Sequence, residues 1–219
     1  MPEKMIDLGE AMRKSAVDDI WAIRGKAIQA YADLEQALAR LFAGLSETKL
    51  SIASIIFFRI SNTDARNRII EKLFKKKFLS QFNLFRNSML DQLRSINIER
   101  NEIVHWNVVN HVGLDEHGKT TSLPLLMPPT FWVNDGNRQT KGVPELLEFI
   151  VKCQFYSGLL NMFCVMTGLI PGEVPVDEAV RQTWLDIFSQ QIVYPPPSTH
   201  PLSPELSKSA TEPKGGAAG

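Results

Sequence analysis

The stretch "FNLFRNSMLDQLRSINIERNEIVHW", residues 82–106, decides how the rest of the chain reads. Phe82, Phe85, Met89, Leu93 and Ile96 recur at steps of three and four, which marks one face of an amphipathic helix. Asn97 reads as a break before a further helical piece. That piece carries the octet "ERNEIVHW", residues 99–106, where an arginine, an asparagine and a histidine sit together in an otherwise apolar, helix-like run.

The same spacing extends upstream. Ile20, Ile23, Ala27, Tyr31, Leu34, Leu38, Leu41 and Leu45 form one face of a long helix, with 1–14 as a frayed start and Ser15 as its N-cap. Gly44 and Ser46 read as helix stop and next start, before "ETKLSIASIIFF". In "SNTDARNRIIEKLFKKKF", Ser61 or Thr63 caps, Ile69, Ile70, Leu73 and Phe74 turn inward, and Lys72, Lys75, Lys76 and Lys77 take the remaining surface. Phe57, Phe58, Phe74, Phe78, Phe82 and Phe85 are at core spacing rather than forming a base-stacking platform.

Downstream the character changes. Residues 107–127 carry β-branched residues on both sides of "DEHGK", which predicts a hairpin. An irregular loop follows, punctuated by Pro128–Pro129 and Asp135–Gly136. Pro144 falls in the first turn of a helix at about 144–168, which Gly168 and Pro171 close. A short helix from about 176 to 188 comes next. The predicted fold is therefore all-α: an up-and-down bundle of four to five helices with an inserted β-hairpin. One helical domain spans 1–193, and 194–219 is a Pro-rich tail with little to bury, expected to be disordered.

Composition narrows the setting. Hydrophobic residues make up 44% and charged ones 22%, enough apolar mass for a real core. The net charge is zero, so the whole molecule has no global pull on nucleic acid or anionic lipid. The charge is uneven, however: 59–100 holds 10 basic and 4 acidic side chains, immediately before the octet. Cys153 and Cys164 lie eleven residues apart in one predicted helix, roughly 16 Å, too far for a disulfide. They read as reduced core residues, which suits the cytoplasm, and no basic-then-apolar leader opens the chain. The apolar run at 149–170 is interrupted by Lys152, Gln154, Ser157 and Asn161, so a buried core helix is expected rather than a membrane span.

The octet carries the chemistry. Arg100 is a permanent cation whose donor fork suits phosphate. His105 is the side-chain type whose ordinary pKa lies near neutrality, suited to proton transfer. Asn101 supplies an amide to orient the imidazole or a phosphate oxygen. Asn101 and His105, four apart, share a helix face, whereas Arg100 and His105, five apart, diverge by about 140° on one regular helix. Their convergence needs either Arg100 at a helix start or a second copy of the motif across a two-fold axis.

"RNEIVH", Arg100 to His105, resembles the R-N-x-x-x-H form of the R-x(4–6)-H motif of HEPN domains. The resemblance implies a helical bundle of four or five helices with the motif near a late helix. It also implies a metal-independent ribonuclease, of bacterial defence or toxin type, in which two protomers line one cleft. By the same resemblance Arg100 holds the scissile phosphate. His105 activates the ribose 2′-hydroxyl or protonates the leaving oxygen, and Asn101 is the polar residue after the arginine. The products would be a 2′,3′-cyclic phosphate and a 5′-hydroxyl, with no cofactor. Implied partners are RNA or a nucleotide, a second copy of the chain and, for a toxin, an antitoxin protein, but no membrane. Trp106, where many members have a small residue, and the hairpin insertion depart from the pattern.

Plainer readings stand beside these. Arg100, Asn101 and His105 make a helix-end polar cluster if Arg100 pairs with Glu99 or Glu102. The chain is then a catalytically inactive nucleotide-binding or protein-interaction module, or a plain structural bundle. Lys72, Lys75, Lys76 and Lys77 form an RNA-binding strip or a solvated helix face. His105, His111 and His117, evenly six apart, match no metal-ligand spacing, so no metal site is expected. Gly-rich phosphate loops, CxxC and GxSxG are absent from the sequence.

Overall fold

Periodic apolar positions become helices along most of the chain, whose computed structural model describes residues 8–114, 120–129, 140–170 and 176–203. Six helices and one hairpin follow in order: α1 Leu8–Ser46, α2 Leu50–Arg59, α3 Thr63–Phe78, α4 Asn83–His105, β1 Asn107–Leu114, β2 Thr120–Met127, α5 Val143–Met166 and α6 Glu178–Phe188. This is an all-α bundle with an antiparallel two-stranded insertion. The chain divides into two compact units. The first is Met1–Ala32 with Ile96–Cys153, and the second is Asp33–Ser95 with Gln154–Gly219.

The first unit buries Ile20, Ala27, Ala30 and Tyr31 of α1, Ile103 of α4, and Leu146, Phe149 and Cys153 of α5. Its hairpin runs from Asn107 paired with Met127 to Leu114 paired with Thr120. Residues 115–119, expected as the turn and including His117, lie outside the described residues, as do 130–139, expected as irregular loop. Lys141 extends the β2 side by exchanging two backbone bonds with Leu126, at 2.7 and 3.0 Å. Immediately after it the Glu145 carboxylate accepts the Gly142 N–H at 2.7 Å. That is the reach-back half of a capping box, with Pro144 in the first turn, where its missing N–H costs nothing.

The second unit is organised by aromatic rings. Phe163 of α5 is fully buried and meets five others. It stacks on Phe85 at 4.9 Å and Phe74 at 5.2 Å, and meets Phe78, Phe82 and Phe188 edge-on. Such pairs add about 0.5–1.5 kcal/mol each beyond the area they bury. Phe58, expected in the core, is 48% exposed. It shares the outer face of α2 with Ile52, Ile55 and Ile56, because Ala53 and Phe57 already fill the inward one.

Helix ends depart from the sequence expectations in several places. α1 starts at Leu8, so Ser15 lies inside the helix rather than capping it. Ser46 does not start α2; its hydroxyl donates back to the Phe42 carbonyl at 2.7 Å. Glu47 adopts φ 55° and Thr48 N–H bonds the Ala43 carbonyl, which ends α1 in a Schellman turn. α3 is capped by Asn62, which accepts from Ala65 N–H at 3.0 Å, and not by Ser61 or Thr63.

The Pro-rich stretch read as tail is packed as far as Ser203. Tyr194 lies against Phe155 and Tyr156, and His200 against Phe155 and Trp184. The expectation missed that two rings inside the run give it something to bury; residues 204–219 lie outside the described residues. α5 is long and apolar enough to cross a membrane by length and composition, and half of that window is buried within the protein.

Two expected outcomes follow from this packing. A Cβ on Gly44 would stand 2.7 Å from Leu169 Cβ, whereas one on Gly25 would meet nothing within 4 Å. Gly44→Ala should lower stability by about 1–2 kcal/mol through overpacking, while Gly25→Ala raises it by about 0.5–1 kcal/mol, read by urea denaturation. Burial lowers the His200 pKa, and its Nδ1 accepts the Leu202 N–H at 3.1 Å, which only the neutral ring does. The folded value is depressed, so the stabilisation is full above about 6.5 and is lost as pH falls through the folded pKa. The protection factor of the Leu202 amide, its exchange rate corrected for the intrinsic pH dependence, should therefore fall on acidification below about pH 6.5, and His200→Phe should flatten that dependence.

Candidate functional site

α4 does not break at Asn97. It continues to His105, its last residue, with Trp106 N–H bonding the Glu102 carbonyl at 2.9 Å. Asn97 stays inside the helix and accepts from Tyr31 Oη at 3.3 Å, which gives a mid-helix amide a partner off the helix. Arg100 is accordingly not at a helix start. A cation-tolerant end is where His105 sits, since the carbonyl pole of the helix dipole favours positive charge there.

Arg100 and His105 are not brought together within the chain. The Arg100 guanidinium is half-buried, 5.3 Å over the Tyr31 ring, and its Nη1 donates to Asn101 Oδ1 at 3.0 Å. Its Nε is buried without a hydrogen-bond partner among the described residues. Asn101 thus attends to Arg100 rather than to the imidazole. Glu99 is bridged by Lys152 at 2.7 Å and Glu102 by Lys141 at 3.1 Å, so both flanking carboxylates are held by lysines instead of Arg100.

His105 is exposed and lines an open pocket of about 590 Å³. Trp21, Arg24 and Ile28 of α1 form one wall, and Trp106 and Asn107 another. Arg24 is half-buried, its Nη2 donating to the Val104 carbonyl at 2.6 Å and its plane 4.8 Å from the Trp21 ring. Burial lowers its pKa, yet a guanidinium keeps its charge throughout the working range of proteins. Among the described residues no carboxylate lines this pocket.

Trp21 and Arg24 escaped the sequence reading, which followed the apolar stripe Ile20, Ile23, Ala27 and Tyr31. The available signal was the adjacent stripe at 21, 24, 25 and 28: an indole, a cation, a glycine and an isoleucine on one helix face.

The four lysines belong to the second unit, while Arg100, Asn101 and His105 belong to the first. Lys75 pairs with Glu71, and Lys77 with Glu47. The hydrogen bond from each lysine holds its glutamate's pKa down. Lys72 and Lys76 are exposed. Among the described residues no three histidine, cysteine, aspartate or glutamate side chains are grouped to hold a metal; His117 lies outside them.

Compared with models of protein families, with curated proteins and with solved structures, the chain matches none.

Cys153 and Cys164 are both free and buried. Burial pushes each thiol up to about 12, with the Glu99 charge adding to the effect at Cys153. At about pH 8 the thiolate fraction is then roughly one in ten thousand. A thiol reagent should label neither cysteine in the native protein and both in denaturant; rapid native labelling would contradict this burial.

Proposed function

We propose that the chain is a HEPN-like, metal-independent endoribonuclease working as a homodimer. The observation that carries this reading is His105, exposed at the last turn of α4 and lining an open pocket in which no described residue is a carboxylate. In the proposed step the imidazole takes the proton of a ribose 2′-hydroxyl. The 2′-oxygen attacks phosphorus, and the bond to the 5′-oxygen breaks. A 2′,3′-cyclic phosphate forms, and the departing oxygen, taking a proton, becomes a 5′-hydroxyl.

Arg100 is assigned to the phosphate, from the partner copy. On one regular helix it diverges from His105 by about 140°, so a composite site across a two-fold axis is the economical way to join them. Its present contacts, a ring face and a neutral amide, are weaker than a charge-assisted bidentate phosphate bond. The exposed face of α2, with Ile52, Ile55, Ile56 and Phe58, supports self-association, since apolar patches of this kind mark interaction surfaces. Lys72 and Lys76 are assigned to RNA phosphates outside the site.

A second reading, an inactive nucleotide-binding or interaction module, is favoured by one observation. Arg100 is partly sealed against Tyr31, as a structural arginine would be.

Cleavage of RNA by pure protein in EDTA separates the two. Wild type should release cyclic-phosphate ends, and His105→Ala should lose roughly 10²–10⁴-fold. Mixing His105→Ala with Arg100→Ala should restore about a quarter of wild-type activity, because half of randomly paired dimers then hold one intact composite site. Activity lost to chelation, or equal in wild type and His105→Ala, leaves only the module reading.

A further inference from the structure

The pocket beside His105 has a chemistry that points to its occupant. One wall is the Trp21 indole, 50% exposed although it lies in a helix whose other large residues are mostly covered. Above that ring stands Arg24, fixed by the Val104 carbonyl so that its guanidinium does not swing away. The pocket thus combines an aromatic face with a fixed cation and, among the described residues, no opposing carboxylate. A ligand that is both aromatic and anionic answers all three features.

The remaining wall supplies hydrogen bonds. Asn107 opens β1, and its amide offers both donor and acceptor. β1 pairs with β2 on one side only. The other side of β2 takes Lys141, and no strand among the described residues pairs with the outer edge of β1. The volume, about 590 Å³, lies within the roughly 300–1,000 Å³ of small-ligand sites.

We infer that this pocket is a subsite for one unpaired nucleotide of single-stranded RNA. The base stacks on Trp21 with its edge toward Asn107, and the phosphate lies on Arg24, which places the adjoining ribose next to His105. The inference rests on the RNA-directed reading above and adds to it a selectivity. Bases inside an A-form duplex are stacked on one another and do not reach an indole in a protein pocket, so the substrate is unpaired RNA. Arg24 is then the phosphate-binding cation supplied by the same copy as His105, distinct in role from Arg100.

The experiment measures binding without turnover. In full-length protein carrying His105→Ala, the affinity for a labelled single-stranded octaribonucleotide is compared with that for the same sequence in a duplex, and with that for adenosine monophosphate. The comparison is repeated with Trp21→Ala, Trp21→Phe and Arg24→Gln. The octamer should bind more tightly than either the duplex or the mononucleotide. Trp21→Ala should weaken octamer binding roughly 5- to 100-fold, the range that loss of one base–aromatic stack produces. Trp21→Phe should recover most of the loss, since a phenyl ring also stacks on a base, and an unchanged melting temperature in Trp21→Ala sets stacking apart from a structural role. Arg24→Gln should weaken binding and flatten its salt dependence.

Unchanged octamer affinity in Trp21→Ala, or a duplex bound as tightly as the single strand, would overturn the subsite. A mononucleotide bound as tightly as the octamer would replace RNA with a free nucleotide as the occupant and overturn the inference as stated. Its failure is distinguishable from that of the nuclease reading. Cleavage by wild type with no effect of Trp21→Ala sinks the subsite alone. Trp21-dependent octamer binding with no cleavage in EDTA sinks the nuclease alone.

Discussion

The unbroken backbone ladder of α4 is the constraint on which the candidate site depends. Twenty-three residues wind at about 100° each, from Asn83 to His105, without the break that Asn97 suggested. That regularity turns Phe85, Met89, Leu93, Ile96 and Ile103 inward together. The same regularity sends Arg100 and His105 to different sides. A kink at Asn97 would have left Arg100 at a new helix start and allowed the pair to close on itself. Tyr31 removes that freedom by donating to Asn97, which meets the polar demand that would otherwise compete with the helical bonds.

What holds each unit determines how firmly these positions are kept. In the second unit the rings around Phe163 make one contiguous aromatic core, and a buried phenylalanine of this kind is worth about 3–5 kcal/mol relative to alanine. In the first unit aromatic burial is sparser and polar links take a larger share: Lys152 to Glu99, Lys141 to Glu102, Arg24 to the Val104 carbonyl. These bonds fall on the last two turns of α4. Lys141 serves twice, since its backbone joins β2 and its ammonium lies 5.8 Å over the Trp106 ring. The helix end carrying His105 is tied to both the hairpin and α5 by groups that sequence patterning treats as surface.

The helices, the hairpin and the start of α5 were legible in the sequence because they depend on period and on turn residues, which are local. Pro144 and the 115–119 turn signal are examples. The helix caps were less legible, because Ser46, Asn62 and Ser61 are all competent cap residues and only the chain's path chooses among them. Phe58 was misread because a helix with hydrophobic residues all round has no periodicity to say which face is inward. Residues 194–203 were misread because composition averaged their prolines and missed what Tyr194 and His200 pack against. At the site, Arg100, Asn101 and His105 were legible as a motif, but their partners were not. Arg24 bonds a residue 80 positions away and Tyr31 one 66 away, and such pairing comes from tertiary packing alone.

The division between Arg24 and Arg100 has a physical rationale under the proposed mechanism. A cation that positions a ground-state phosphate should be fixed in advance, since immobilising a loose arginine at binding would cost affinity. Arg24 meets that condition through a short bond to a main-chain carbonyl. A cation that answers charge developing in the transition state gains most if its ground-state contacts are soft and readily exchanged. Arg100 fits this second description: it rests on a ring face and a neutral amide, and its Nε has no hydrogen-bond partner among the described residues. The unsatisfied Nε is a cost to the folded protein that no local contact explains. On the proposed reading that cost is offset when the group meets an anion delivered from the other copy's groove.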